Sequence, residues 1–415
     1  YSRSVALGLH ALGMKREDNV AMVLDNEPEW LFSELGVQAM GGVTVNLFTS
    51  AVSKEILYGI NRISATYVIV QDQEQVDKLI ENQDQIQSIR KIIYLDQTGM
   101  RNYKDNPLLI SFAELLELGQ NIFSDQPDLF EEALWKGKAD DVALMIMTSG
   151  TTGLPKMVML SHANLADMSQ KWLSSAPVST GDNWISISPP AWIVDQMWSV
   201  GICLFGGLTV NFPETLETVT YDFRQVGPNI IITSSRFWED LASRIRVKMS
   251  ESGMVKRLFY RLAQQVGQSV IRRQEEGRTV PLHLKAVNRF FKWTVSRPLM
   301  DRIGCLGLKS AYTGGHPISP EVIRFFRVNG LNLKQCYGMT EAGGIFQVQP
   351  DGEVKPETVG RPLPGTEVRL SEDEEVMVRS NSVFVGYYQN LEATAEAIVD
   401  EIGRASCRER VCHRV

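Results

Sequence analysis

A chain of 415 residues exceeds what one compact core encloses, so its length argues for two or three domains rather than one. Its 44% hydrophobic and 22% charged residues, with a formal net charge of −7, are the composition of a soluble globular protein. Five cysteines without paired spacing exclude a disulfide scaffold or a thiolate metal site and suit a reducing cytosol. The opening "YSRSVALGLHALGMKRED" is already helical in pattern, so the true amino terminus is expected upstream and targeting is left unread. Short apolar runs then begin at Val20 ("VAMVL"), Gly41 ("GGVTVNL"), Ala65 ("ATYVIV") and Lys91 ("KIIYL"). Helical patterns separate them, among them "DNEPEWLFSELGVQAMGG" with its turn and glycine stop. Strands alternating with helices predict a parallel, doubly wound sheet. Residues from about Asn102 to Trp135 are polar and irregular and read as a connector.

The next apolar run, "DVALMIMT" from Asp141 to Thr148, predicts a buried strand and feeds "TSGTTGLPK", Thr148 to Lys156. Four hydroxyl residues, two glycines and a lysine in nine positions let backbone N–H groups, hydroxyls and an ammonium converge on a polyphosphate. The loop is not a Walker A loop, because Leu-Pro stands between Gly153 and Lys156 where that motif has Lys directly after Gly. The plain alternative is a Thr/Gly surface loop. Its place beyond the carboxyl end of a buried strand favours a ligand, since ligands of open α/β sheets gather there.

Gln196 to Pro213 carries no charge over eighteen residues. The Gly206-Gly207 break and the strand-like "LTVNF" after it predict a buried helix and a buried strand rather than a membrane span. Between Leu241 and Arg302 stand 14 Lys and Arg against 4 Asp and Glu, so this segment carries +10 and the remainder −17. Its helical apolar spacing, with aromatics among the basic residues, suits either an anionic membrane surface or a solvated helical insertion packed on the core. Nucleic acid has no other support in the chain. Further on, "LKQCYGMTEAGG", Leu333 to Gly344, offers a strand ending at Tyr337, whose ring can lie on a purine. Gly338 allows a turn, and Thr340 and Glu341 present a hydroxyl and a carboxylate. Mg²⁺ bridging phosphates takes only one or two protein oxygens, so one Glu suffices. A Tyr at a strand end and a Glu at a helix start also have ordinary structural uses. After Val348 short alternating strands with turns predict a small β-rich subdomain.

These stretches match a known pattern. "TSGTTGLPK" resembles the phosphate-loop signature of the adenylate-forming superfamily, [ST]-[ST]-G-[ST]-T-G-x-P-K-G, shared by acyl-CoA synthetases, peptide-synthetase adenylation domains and firefly luciferase. Met157 stands where that signature has its last Gly. "YGMTE" resembles the superfamily's Y-G-x-T-E and lies 185 to 190 residues beyond the loop. "AYTGGHPISPE", Ala311 to Glu321, is similar to [ST]-G-G-A-P-[LI], with His316 in place of the small residue and no catalytic role given to it. "VGRPLPG" and "VFVGYYQNLEAT" resemble the G-x-P-x-P-G turn and the G-Y-x-x-x-x-x-x-T segment. "SPPAWIVDQMWSVG", together with the basic insertion, resembles the bacterial long-chain acyl-CoA synthetase branch, with Trp192 where other branches often place His.

The resemblance implies an α/β fold of two doubly wound α/β subdomains with a small β-rich, distorted-barrel subdomain. It implies an adenylation (AMP-binding) domain over 1–400, divided at about 1–138, 139–348 with the insertion 241–302, and 349–400. The T-G-D motif, hinge and small C-terminal domain that the family carries next are missing. "EIGRASCRERVCHRV" after Asp400 reads as the translation of a sequencing-library adapter, so 401–415 is expected to be a non-native tail and the natural frame to continue. A short basic tail is the ordinary alternative.

The implied reaction is ATP-dependent activation of a carboxylic acid to acyl-AMP with release of pyrophosphate, followed by transfer to coenzyme A with release of AMP. The acid is expected to be a long-chain fatty acid. An aryl or shorter acid is the alternative within the enzyme class, and a non-catalytic nucleotide or acyl binder the alternative outside it. The implied assignments give the β- and γ-phosphates of ATP to Thr148, Ser149, Gly150, Thr151, Thr152, Gly153 and Lys156. They give Mg²⁺ to Glu341 and the Thr148 hydroxyl, the adenine to Gly314, Gly315 and Tyr337, and a nucleotide-binding place to Gly338 at the turn. Thr340 goes to the α-phosphate and acyl carboxylate, so Thr340, Glu341 and Lys156 form the expected catalytic set. Trp192 and Gly343 go to the acyl substrate, with Trp192 either lining an acyl tunnel or filling the core. The expected setting is cytoplasmic, with peripheral contact at the inner membrane face open to 241–302. The chain as it stands is expected to bind nucleotide weakly and catalyse little.

Overall fold

The computed structural model describes residues 1–103, 105–148, 155–215, 217–371 and 375–398, with the backbone of 405–407. Its largest sheet has eight strands. Asn19–Val23, Val43–Asn46 and Tyr67–Val70 are buried along their whole length, as continuous apolar runs are when helices cover both faces. Val43–Asn46 and Tyr67–Val70 flank Asn19–Val23 on opposite sides, so the chain winds outward both ways from its first strand. Lys91–Tyr94 and Leu109–Ser111 extend one side in parallel. The other side continues with Val142–Thr148 in parallel, then Lys156–Ser161 and Gly386–Tyr387 antiparallel.

Two expectations need correction. The division at 138/139 does not separate the sheets, because Val142–Thr148 pairs with Val43–Asn46 in the register Thr44 to Leu144. The connector expected from Asn102 to Trp135 contains the strand Leu109–Ser111 and the helices Phe112–Asp125 and Leu129–Trp135. The first of these helices starts at a capping box. Ser111 Oγ accepts from Glu114 N–H at 3.2 Å, and Glu114 Oε2 accepts from Ser111 N–H at 2.8 Å. "SFAE" carries this signal in the sequence, but the polar residues around it obscured the helix. A Cβ at Gly119 would collide with Ser4 O, so this helix lies directly on Ser2–Ala11.

A second sheet runs in the order Ile230–Ser234, Ser310–Gly314, Leu333–Met339, Gly344–Val348 and Arg361–Pro362. The first three are parallel and the last two antiparallel. A third sheet joins Glu367–Leu370, Val376–Arg379 and Ala405–Cys407, the last from the segment read as a non-native tail. Asn183–Ile185 and Thr209–Asn211 form a parallel pair beside the second sheet. One core spans the first two sheets, filled by the helix His162–Ser175 and the π-helix Gln196–Ile202. Trp184 and Trp198 stack there at 4.7 Å, and Trp172 meets Trp198 edge-on at 5.3 Å. The uncharged stretch from Gln196 thus becomes a buried helix, ended by Gly207 in the left-handed conformation and followed by the strand Thr209–Asn211. Among the described residues no helix is long and apolar enough to cross a membrane. Residues 241–302 are helical, through Ser235–Ser250, Met254–Glu275, Leu282–Phe291 and Arg297–Arg302.

Candidate active site

Thr148 is the last residue of its strand, and Lys156 opens the antiparallel strand beside it in direct register. Thr148 Oγ1 lies 3.5 Å from Lys156 O, so the loop between them leaves and re-enters the sheet at one point on its carboxyl edge. Tyr58 holds the returning limb by donating to Pro155 O at 2.9 Å. Ser149, Gly150, Thr151, Thr152 and Gly153 lie outside the described residues.

The second sheet brings its own carboxyl edge to the same place. Gly314 ends Ser310–Gly314, and the parallel register Thr313 to Gln335 sets it beside Cys336 in the next strand. A Cβ at Gly314 would stand 2.8 Å from Cys336 Sγ, so the two backbones approach as only glycine permits. Gly315 follows at φ +81° with open space around it. Burial pushes the Cys336 thiol well above its ordinary range, and its Sγ donates to Thr313 O at 3.2 Å, which suits a packed wall rather than a nucleophile. The Tyr337 ring meets Phe346 edge-on at 5.5 Å. A bulge between Tyr337 and Gly338 then re-aims the strand, and a Cβ at Gly338 would collide with Gly344 O.

Thr340–Ala342 forms a single tight turn. Thr340 O accepts from Gly343 N–H at 3.0 Å, and Glu341 O accepts from Phe384 N–H at 2.8 Å. Gly343 turns the chain at φ +76°, where a Cβ would sit 2.5 Å from Ser382 O. A Cβ at Gly344 would sit 2.8 Å from Met197 Sδ, so this strand starts against the π-helix that follows Trp192. Trp192 itself is 42% exposed, which removes the core-filling reading of that side chain. His316 is exposed.

Tyr387 joins the two edges. Its hydroxyl donates to Glu341 Oε1 at 2.8 Å, and Lys156 Nζ lies 4.8 Å from its ring centroid. A cation over the ring face and a carboxylate at the hydroxyl hold one side chain between the phosphate-loop lysine and the Thr-Glu turn. Sequence reasoning quoted "VFVGYYQN" but gave Tyr387 no site role. Only the antiparallel pairing of Gly386–Tyr387 with Lys156–Ser161 aims it here. Glu341 Oε2 accepts no hydrogen bond among the described residues, which leaves one hard carboxylate oxygen for a cation. That chemistry fits Mg²⁺, which takes one or two protein oxygens and completes its shell with phosphates and water. Among the described residues no group of three or more His, Cys, Asp or Glu could hold a metal by itself.

A buried polar network lies behind Trp192. Asp195 Oδ2 accepts from Ser186 Oγ at 2.7 Å, and from Asn26 Nδ2 and Ser199 Oγ at 3.3 Å each. Burial pushes the Asp195 carboxyl up to about 7. Asn26 also donates to Ser188 O, and Trp184 Nε1 donates to Ser199 Oγ. The network ties the segment entering the helix Pro28–Ala39 to the π-helix. The sequence held no signal for it, because Asn26 and Asp195 stand 169 positions apart.

A family model described as AMP-binding enzyme matches residues 1–388. Among curated proteins, a long-chain-fatty-acid–CoA ligase ACSBG2 of Xenopus laevis is 25% identical over 418 residues, taking in 96% of this chain and 54% of that protein. The long-chain-fatty-acid–CoA ligase FadD15 of Mycobacterium tuberculosis is 24% identical over 400 residues, with 96% and 64% covered. The chain therefore spans about half to two thirds of the length of these relatives. Among solved structures, the N-terminal domain of FACL13 from Mycobacterium tuberculosis superposes with a TM-score of 0.70 at 17% identity, over 98% of this chain and 86% of that one. ATP-bound MatB from Rhodopseudomonas palustris gives 0.66 at 19% identity, over 98% and 68%.

Proposed function

The chain belongs to the AMP-binding enzyme family, whose model spans residues 1–388, and from that premise we propose that it is the adenylating part of an ATP-dependent acid–CoA ligase for long-chain fatty acids. A carboxylate oxygen of the acid attacks the α-phosphorus of ATP. The bond from that phosphorus to pyrophosphate breaks, and acyl-AMP forms. The CoA thiol then attacks the acyl carbon, gives up its proton, and displaces AMP.

An anion must reach a polyanion in the first step, so positioning and charge neutralisation carry the rate. The observation behind this reading is the contact from Lys156 through Tyr387 to Glu341, which sets a cation and a carboxylate at the meeting of two sheet edges. Lys156 and the loop after Thr148 take the β- and γ-phosphates. Gly314, Gly315 and Tyr337 take the adenine, Gly338 turns the strand beside the nucleotide, and Thr340 takes the α-phosphate with the acyl carboxylate. Trp192 and Gly343 border the acyl group. Tyr387 acts as a positioning residue, holding Glu341 by one oxygen. Mg²⁺ at Glu341 and Thr148, when bound, supplies neutralisation of phosphate charge. The long-chain acid is supported by the relatives, which are long-chain-fatty-acid–CoA ligases.

Acid-dependent ATP–pyrophosphate exchange tests this, run on the present chain and on any longer product of the same gene, with acetate, benzoate and palmitate. Exchange strongest with palmitate supports the reading. Exchange strongest with benzoate or acetate changes the acid, and none with any acid by either protein leaves a nucleotide or acyl binder. Glu341→Ala is expected to cut exchange far more than Lys156→Ala, because the loop divides its load among many donors. The reverse order would reassign the carboxylate.

A further inference from the structure

The insertion between 241 and 302 takes no part in the site above, and its helices are divided in character. Helix Met254–Glu275 is seated by its second half, where Ala263, Gly267, Val270 and Ile271 are buried. A Cβ at Gly267 would collide with Val328 Cγ1, so the backbone there lies directly on the helix Pro320–Val328. Its first half is the opposite. Met254, Val255, Leu258, Phe259 and Leu262 repeat at i, i+1, i+4, i+5 and i+8, one face of the helix, and all are exposed. Helix Leu282–Phe291 buries no residue at all. Leu282, Val287 and Phe290 stand in solvent, followed by Trp293 at 68% exposure. Phe291 joins the two helices, edge-on to Phe259 at 6.5 Å and to Phe290 at 5.5 Å, which makes the exposed apolar side chains one patch.

Charge decides what such a patch fits. Lys256, Arg261, Lys285 and Arg289 are exposed around it, and none is in an ion pair among the described residues. No acidic residue occurs from 252 to 274 or from 277 to 300. A second copy of this chain would set these cations against one another. An anionic lipid surface meets both halves of the pattern, with phosphates for the cations and an acyl boundary for the rings and aliphatic chains.

We propose that the face formed by residues 254–262 and 282–293 docks on an anionic lipid bilayer, with its apolar side chains at the boundary between headgroups and acyl chains and its four cations on lipid phosphates. Docking needs no catalysis, so it stands or falls apart from the ligase reading.

The test is cosedimentation of the chain with vesicles of phosphatidylcholine alone and of phosphatidylcholine mixed equally with phosphatidylglycerol. The chain is expected to bind the mixed vesicles about tenfold or more tightly than the neutral ones, and raised salt to narrow the gap. Phe290→Ser with Trp293→Ser is expected to weaken binding to both vesicles about tenfold or more. Lys285→Glu with Arg289→Glu is expected to abolish the preference for phosphatidylglycerol. These positions are solvent-exposed, so each variant should keep the far-ultraviolet circular dichroism and melting temperature of the parent. The proposal is overturned by no sedimentation above the vesicle-free control, or by binding that survives both pairs of substitutions. It is equally overturned by a dimer in solution that Phe290→Ser with Trp293→Ser dissolves while vesicle binding is absent, which would give the face to a second copy.

Discussion

The π-helix Gln196–Ile202 and the helix Leu282–Phe291 both carry large apolar side chains, yet every residue of the first is buried and none of the second. The first has packing on all sides: the rings of Trp172 and Trp184, Gly344 seated on Met197, and the Asp195 network at its start. The second has one neighbouring helix and a fringe of cations. Side-chain hydrophobicity is therefore a poor guide to burial unless the partners are known. An apolar stretch free of charge can be surrounded, whereas one interleaved with unpaired lysines and arginines keeps a face in solvent.

The sharpest break of this contrast is Trp198→Ala. Emptying the place of a fully buried indole is expected to cost about 3–5 kcal/mol of unfolding free energy. Urea denaturation measures it, and a loss below about 1 kcal/mol would deny this layer its place as the core. Next comes Gly344→Ala, which puts a methyl against Met197 at φ +116°. A loss of about 1–3 kcal/mol is expected, together with lowered pyrophosphate exchange, since the same strand holds the Thr340 turn. Stability lost with exchange intact would separate the π-helix from the site.

Third is the pH dependence that Asp195 imposes. Its carboxyl titrates near 3.8 when exposed and is pushed up to about 7 by burial. Below about pH 4 both states are protonated and burial has no charge cost. Between about pH 4 and 7 the unfolded chain releases this proton and the folded chain keeps it, so stability falls by up to about 1.4 kcal/mol per pH unit. Above about pH 7 the cost is constant. Asp195→Asn cannot ionise, so its stability relative to the parent is expected to rise through that window and then level. Parallel melting-temperature curves for the two proteins would show that Asp195 is ionised in the fold. Smallest of all is Leu282→Ser on the exposed helix, expected to change unfolding free energy by no more than about 0.5 kcal/mol. A larger loss would reveal packing around Leu282.

Much of the candidate site's placement in the fold was legible because its motifs are short local signals. The glycine-rich loop after Thr148, the Tyr337 to Glu341 turn and the glycines at 314 and 315 each sit at a strand end, where chain direction and turn chemistry are set within a few residues. The strands beginning near Val20, Gly41, Ala65 and Lys91 were legible for the same reason. Unbroken apolar runs between helical patterns have few other uses. The helices between 112 and 135 escaped because a capping box is a weak signal within a polar stretch, and their apolar faces matter only once Ser2–Ala11 lies against them.

By itself, then, the sequence determined the alternation of strands and helices, the order of the loop and turn motifs, and the basic character of 241–302, all fixed by neighbours along the chain. Tertiary structure alone decided that Val142–Thr148 joins the first sheet, that Tyr387 stands between Lys156 and Glu341, and that Asn26 meets Asp195. It also decided which of two apolar helical stretches would be enclosed. Each of these depends on pairings between residues far apart in the chain, whose geometry exists only after the sheets have formed and packed.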